Sequence, residues 1–418
     1  MSKKISTVLA YGNIAPFHMS RLLYAQKYLS TYNIQLHVIQ IAGKQTDYQW
    51  APVSTLPNQR LSLHTLFPTY DYISLSPQKI AEKMASTLAT LKPDVAVVNG
   101  WGPKESSYLL QYALKHSIKR ILISDSQYKD KPRNNIQELY KSWFTTTFHA
   151  YFVGGGPHIR YLQKLGCDPT RCFIGCDVVD NGFFSPTPKP FHPSSPQCIN
   201  MLSCIRMIPE KNILQTLHTL SQTSLPWKWT IAGNGILYHD IVQTVQKLGL
   251  QDKVTLVGHI QYNNLPELYQ KHALYFQPSV SEPWGLAVNE AMASGKPVLA
   301  SLQCGCASDL ISQETGWLFN AYEPHSLLKT LQTVWNMREQ WFSMGQQAMS
   351  HIQPWSVHLF AEQLKLSIEK ALFTTYPQPF SDMLDHAFLR CSTLLKNRLL
   401  FHPTPAPNPP LDTNPTHP

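Results

Sequence analysis

No apolar run in the 418 residues approaches the ~20 needed to cross a bilayer, so a membrane-spanning helix is not expected. Charged residues are scarce at 15%, whereas 43% are hydrophobic, which excludes a solvated polyelectrolyte and suits a sizeable core. The cysteines do not follow a pairing pattern. Cys167, Cys172 and Cys176 cluster without C-x2-C spacing, and Cys304 and Cys306 make a poor ligand pair. Neither a disulfide framework nor a zinc site is expected. Gly154, Gly155 and Gly156 lack the following Lys-Ser/Thr of a phosphate loop and read as a tight turn into a helix. No D-x-D metal motif and no nucleic-acid-binding motif stand in place. The apolar stretch at 5–10 is too short for a signal-peptide core and reads as a first strand, which points to a cytoplasmic chain.

What is present is a repeated alternation of short apolar runs and amphipathic segments. Strands are expected at 5–10, 36–41, 94–98, 120–124 and 150–153, and helices at 20–30, 77–91, 104–116, 136–148 and 157–165. Residues 43–76 read as irregular. Residues 185–197, SPTPKPFHPSSPQ, are proline-rich and read as a joint. The alternation then resumes, with strands at 200–203, 229–232, 254–257, 274–276 and 298–300 and helices at 211–221, 236–248, 265–271 and 286–293. A last long helix is expected at 355–372. Residues 385–401 are amphipathic and basic, suited to packing on the protein or on a membrane surface, and 402–418 read as a disordered tail. Two successive strand–helix arrays describe two Rossmann-like α/β domains.

Charge is shared unevenly. Residues 1–190 hold 21 Lys and Arg against 11 Asp and Glu, and the remainder is close to neutral. A basic first half suggests an anionic partner: a phospholipid surface, a lipid-phosphate acceptor or, last because no motif for it is visible, nucleic acid.

The chemistry concentrates in residues 279–301, SVSEPWGLAVNEAMASGKPVLAS. Glu282 sits in a turn, Gly285 permits close backbone approach, and Glu290 lies on the helix that follows. The helix start favours anions, while the carboxylates accept bonds only from hydroxyls and other donors. Cationic partners must therefore come from elsewhere, and SCIRMIPEKN offers Arg206 and Lys211.

With seven residues between Glu282 and Glu290 in EPWGLAVNE, and AMASGKPVLAS behind, the stretch resembles the E-x7-E signature of retaining glycosyltransferases of family 4. The resemblance implies an α/β GT-B fold, two Rossmann-like domains facing across a cleft. An acceptor domain would span 1–184, a linker 185–197 and a nucleotide-sugar domain 198–354. C-terminal helices would follow at 355–401, the first crossing back to the first domain. It implies transfer of a hexose from a UDP- or GDP-sugar to a hydroxyl of a cell-surface glycan or lipid-linked acceptor, with retention of configuration. By the same resemblance, Arg206 and Lys211 hold the diphosphate, Glu290 the ribose and Glu282 the donor sugar, with backbone N–H groups near Gly285 and Leu286. Gly233 and Gly235 give the nucleotide close approach. Gly12 stands in the family's Gly-rich loop, although Asn13 replaces the second glycine. A family histidine after strand 120–124 is missing. Asp125 takes its neighbourhood, to orient the acceptor hydroxyl or to serve as a plain cap. No metal or other cofactor is expected, because Arg206, Lys211 and helix dipoles supply the positive charge. The expected partners are the nucleotide sugar, the acceptor and an anionic inner membrane face, with no nucleic acid. Two rivals share the fold: a sugar-nucleotide epimerase or hydrolase, and a non-catalytic nucleotide-sugar-binding protein.

Overall fold

The computed structural model describes residues 3–45, 61–130, 132–185 and 196–374. Most of the proline-rich joint, the basic amphipathic segment at 385–401 and the tail at 402–418 lie outside the described residues.

The first sheet gathers β1 (Ile5–Tyr11), β2 (Ile34–Lys44), β3 (Leu63–Asp71), β4 (Val95–Asn99), β5 (Lys119–Ser124), β6 (Ala150–Val153) and β7 (Cys172–Ile174). All neighbours are parallel, in the order β3-β2-β1-β4-β5-β6-β7. Central strands such as β4, VAVVN, are apolar on both faces because helices cover both sides. Those helices are α1 (Pro16–Ser30), α2 (Pro77–Leu91), α3 (Lys104–Lys115), α4 (Asn135–Thr146) and α5 (Gly156–Lys164). Local chemistry sets their ends. Ser76 accepts a bond from the Lys79 N–H ahead of α2, with Pro77 at the first helical position.

The sequence reading misses β3, which falls inside the stretch taken as irregular. It is an edge strand with Pro68 in its middle, the one kind of strand position that tolerates proline. Its outer half is exposed, so it lacks the apolar run that marks the central strands.

A short helix, α6 (Asn181–Phe184), leads to the second domain. There β8 (Ile199–Cys204), β9 (Trp227–Ala232), β10 (Val254–Gly258), β11 (Leu274–Gln277), β12 (Val298–Ser301) and β13 (Gly316–Phe319) form a parallel sheet in the order β10-β9-β8-β11-β12-β13. Its helices are α7 (Ile213–Leu220), α8 (Tyr238–Lys247), α9 (Leu265–Gln270), α10 (Leu286–Ala293), α11 (Ala307–Leu310), α12 (Pro324–Asn336) and α13 (Trp341–Ile352). Val179 and Phe184 pack into this domain's apolar cluster, Phe183 stacks on Tyr262 at 4.9 Å, and the Asn181 amide donates to the Ile352 carbonyl at 3.0 Å. The chain thus enters the second domain's core before residue 184, ahead of the proline-rich joint.

The last helix, α14 (Val357–Phe373), returns to the first domain. Phe360, Leu364 and Ile368 are fully buried in that domain's core, with the Phe360 ring 5.1 Å from Phe152. The two-domain fold with a carboxyl-terminal crossover is the arrangement expected from the sequence.

Candidate active site

Each sheet reverses its strand order once, between β1 and β4 in the first domain and between β8 and β11 in the second. Open α/β sheets bind ligands at such reversals, beyond the carboxyl ends of the strands. The loops after β8 and β11 carry Arg206, Lys211 and Glu282, and a cavity of about 970 Å³ lies against them.

Lys211 and Glu282 meet there, Nζ to Oε2 at 2.5 Å. Lys211 is nearly buried at the end of a single 3-10 turn (Pro209–Lys211), where Asn212 takes a left-handed conformation (φ 57°) to start α7. Gln277 donates to the same carboxylate oxygen at 2.8 Å and is itself oriented by the Tyr275 hydroxyl at 2.6 Å. The Lys211 and Gln277 bonds both fall on Glu282 Oε2. Arg206 is exposed and lines the same cavity. Glu290, on α10, also lines it and accepts the Tyr269 hydroxyl at 2.7 Å. Burial pushes the Glu290 carboxyl up to about 7, partly offset by that hydroxyl. Gly285 caps α10 at φ 106°, which favours glycine, and Leu286 reaches the cavity from the first turn.

Gly233 and Gly235 line the cavity, but their backbone neighbours explain them as well. A Cβ at Gly233 would overlap the Ile205 carbonyl, and one at Gly235 the Met207 carbonyl. The two loops are laced together by Met207 N–H to Asn234 O at 2.9 Å and Leu237 N–H to Met207 O at 3.0 Å. Backbone hydrogen bonds thus hold the loop carrying Arg206 against the loop after β9.

On the first domain's side, Asp125 follows β5 and lines the cleft. It is open to the water of the cleft yet ringed by protein. That enclosure, with Asp177 and Asp130 nearby, pushes its carboxyl up to about 7. Gly12 departs from expectation and is absent from the cavity lining. Its Cα faces the Tyr72 ring, which a Cβ would meet at 2.9 Å, and Tyr72 is pinned by its hydroxyl bond to the buried Glu105 at 2.7 Å. Asn13, the next residue, lines the smaller cavity instead.

Three further groups join the domains around residues 279–285. Gln127 donates to the Glu282 and Gln303 carbonyls at 3.0 and 3.1 Å. His158 accepts the Gly155 N–H at Nδ1, which places its proton on Nε2, where it donates to the Pro283 carbonyl at 3.0 Å. The Gly156 N–H at the start of α5 donates to the Asp309 carboxylate at 3.0 Å. The triple glycine is a turn into a helix, as read. Its bareness also admits the Trp284 ring and Asp309 from the second domain, which a Cβ at Gly155 would strike. Nothing in the spacing of Gln127 or His158 marks them, because their partners are backbone carbonyls far away in sequence.

Residues 193–351 match the family model described as Glycosyl transferases group 1. Among curated relatives, the D-inositol 3-phosphate glycosyltransferase of Segniliparus rotundus is 28% identical over 222 residues, 50% of this chain and 49% of that protein. The one of Nocardia farcinica is 30% identical over 143 residues, 34% and 32% of the two chains. The putative colanic acid biosynthesis glycosyltransferase WcaL of Escherichia coli is 24% identical over 179 residues, 41% and 43%. The chain thus spans at most about half the length of these relatives. Among solved structures, sucrose-phosphate synthase of Thermosynechococcus elongatus superposes with a TM-score of 0.70 at 17% identity over 88% of this chain and 99% of that one. HepE of Anabaena with UDP and glucose gives 0.66 at 14% over 87% and 99%. Starch synthase IV of Arabidopsis thaliana with ADP and acarbose gives 0.65 at 14% over 89% and 100%. At these identities the superpositions establish the fold, which is GT-B.

Proposed function

We propose that the protein is a retaining glycosyltransferase of family 4. It moves a hexose from a UDP- or GDP-sugar to a hydroxyl of a glycan or lipid-linked acceptor. The observation that carries the proposal is the joint lining of one cavity by Arg206, Lys211, Glu282 and Glu290 at the second sheet's strand reversal. Charge grows on the diphosphate as the glycosidic bond breaks, and fixed cations lower that barrier. Lys211 has three N–H donors and gives one to Glu282, which leaves the others for the diphosphate. Glu282 collects its side-chain bonds on Oε2, which leaves Oε1 for a hydroxyl of the donor sugar. Glu290 takes the ribose hydroxyls. Front-face attack then places the acceptor oxygen beside the departing phosphate, which helps to remove its proton, while Asp125 positions the acceptor. The cations of the protein make a metal unnecessary in this scheme. HepE with UDP and glucose and starch synthase IV with ADP support a nucleoside-diphosphate sugar as donor. The basic first half supports a place at the inner, anionic face of a membrane.

The test is a panel of UDP-, GDP- and ADP-sugars scored by thermal shift, then by nucleotide release with and without acceptors. Stabilisation by a UDP- or GDP-sugar with acceptor-dependent release supports the proposal. Absence of any nucleotide binding refutes it. Release of free sugar or an epimer at full rate without acceptor would favour the hydrolase or epimerase instead.

A further inference from the structure

A second cavity, of about 300 Å³, opens beside the first and belongs mostly to the first domain. Phe17, Asp125, Asp177 and Leu286 line both, so the two spaces are continuous. We infer that this cavity seats the acceptor as an uncharged sugar ring and turns away acceptors whose seated part carries phosphate or carboxylate. The inference rests on glycosyl transfer in the adjoining cleft.

The argument is one of charge and hydrogen-bond supply. The cation in the lining is Arg21, and it is already committed. Arg21 is only 5% exposed, donates to the Cys176 carbonyl at 2.6 Å and lies 3.5 Å from the Asp177 carboxylate. Its guanidinium is held between the Phe17 and Phe360 rings at 5.6 and 5.5 Å, so it cannot swing toward an incoming anion. His18 gives no positive charge either. Its enclosure and the neighbouring Arg21 hold it neutral, and its Nδ1 accepts the Ala15 N–H at 3.0 Å. Asp125 remains, with no cation paired to it among the described salt bridges. A phosphate seated here would meet two carboxyl groups, Asp125 and Asp177, and no uncommitted cation in the lining.

The same groups suit hydroxyls. A carboxylate accepts from them, and the Asn13 and Asn99 side chains in the lining can donate or accept. Phe17, half-buried and lining both cavities, offers apolar surface for the ring's apolar face. The basic character of the first half thus does not extend to this cavity, and the anionic acceptor suggested by net charge does not fit it.

The test uses the full chain saturated with UDP, or with GDP if that binds instead. Glucose, galactose, mannose and N-acetylglucosamine are titrated by saturation-transfer NMR, each beside its 6-phosphate. At least one neutral sugar should bind, and its phosphate ester about tenfold or more weakly. Asp125→Asn should shrink that ratio toward one. An ester that binds as well as or better than its parent sugar overturns the inference. So does the binding of no neutral sugar to the nucleotide-loaded protein. In both cases glycosyl transfer itself stands, because the nucleotide titration is read separately. Failure of UDP and GDP to bind sinks the parent proposal instead.

Discussion

Across the cleft, the two domains hold their functional groups by different means. In the second domain Lys211, Glu282 and Glu290 are braced. Lys211 and Glu282 meet at 2.5 Å, Gln277 fixes the carboxylate, and Tyr269 fixes Glu290. Beneath them, two loops touch backbone to backbone at Gly233 and Gly235. In the first domain, Asp125 stands in the water of the cleft with neighbouring carboxylates and no cation paired to it among the described salt bridges. A braced wall suits a ligand part that is always the same, such as a diphosphate and ribose. An unbraced wall suits a part that differs from one enzyme to another.

The sharpest test of that contrast is catalytic. Lys211→Ala and Glu282→Ala should each lower kcat/KM by about 100-fold or more, because in the proposed reaction they act on the charge that develops during bond cleavage. Asp125→Ala should cost only about tenfold and act mainly through the acceptor KM. Steady-state kinetics on variants shown to be folded by circular dichroism decides this. Equal losses on both walls would erase the distinction.

A stability comparison comes next. Gly233→Ala forces a methyl onto the Ile205 carbonyl at φ 138°, with rigid backbone on both sides. It should cost about 3 kcal/mol. Gly12→Ala meets a tyrosine ring held at its hydroxyl, a softer obstacle than backbone, and should cost about 2 kcal/mol. Urea unfolding of both variants measures the difference, and a larger loss at Gly12 would reverse the argument.

Third comes pH. Glu290 holds its proton up to about pH 7 in the fold, against an ordinary value of 4.5. Between those values the folded state binds more protons than the unfolded chain. Stability from this group is therefore complete below the unfolded value and lost as pH rises through about 7. The loss should be about 3 kcal/mol between acidic and mildly alkaline pH. Glu290→Gln should flatten this fall in urea titrations, and an unchanged slope would assign it to other groups. The smallest effect concerns the outer surface. Vesicles with anionic lipid should bind the protein modestly better than neutral ones, and salt should remove the preference. Equal binding to both would confine the basic excess to a solvated face.

How much of this was legible in the sequence follows the same division. The GT-B fold was readable because each domain repeats one strand–helix rhythm, and α2 and α10 fall at residues 77–91 and 286–293 as their caps and glycines predict. The braced wall was readable because its groups sit in two short segments with fixed spacing. β3 was not, since an edge strand with a proline shows no apolar run. Gln127, His158 and Asp309 were not, because each bridges to backbone atoms more than 100 residues away. Gly12 misled because a glycine in a strand-to-helix loop looks alike whether it faces a phosphate or a tyrosine.

One consequence of the crossover concerns birth rather than catalysis. Phe360, Leu364 and Ile368 complete the first domain's interior, yet they are synthesised after the whole second domain. A ribosome therefore releases the second domain's residues while the first still has an open apolar groove. The earliest-made half is finished last, and a chaperone that shields this groove during translation would act on it there.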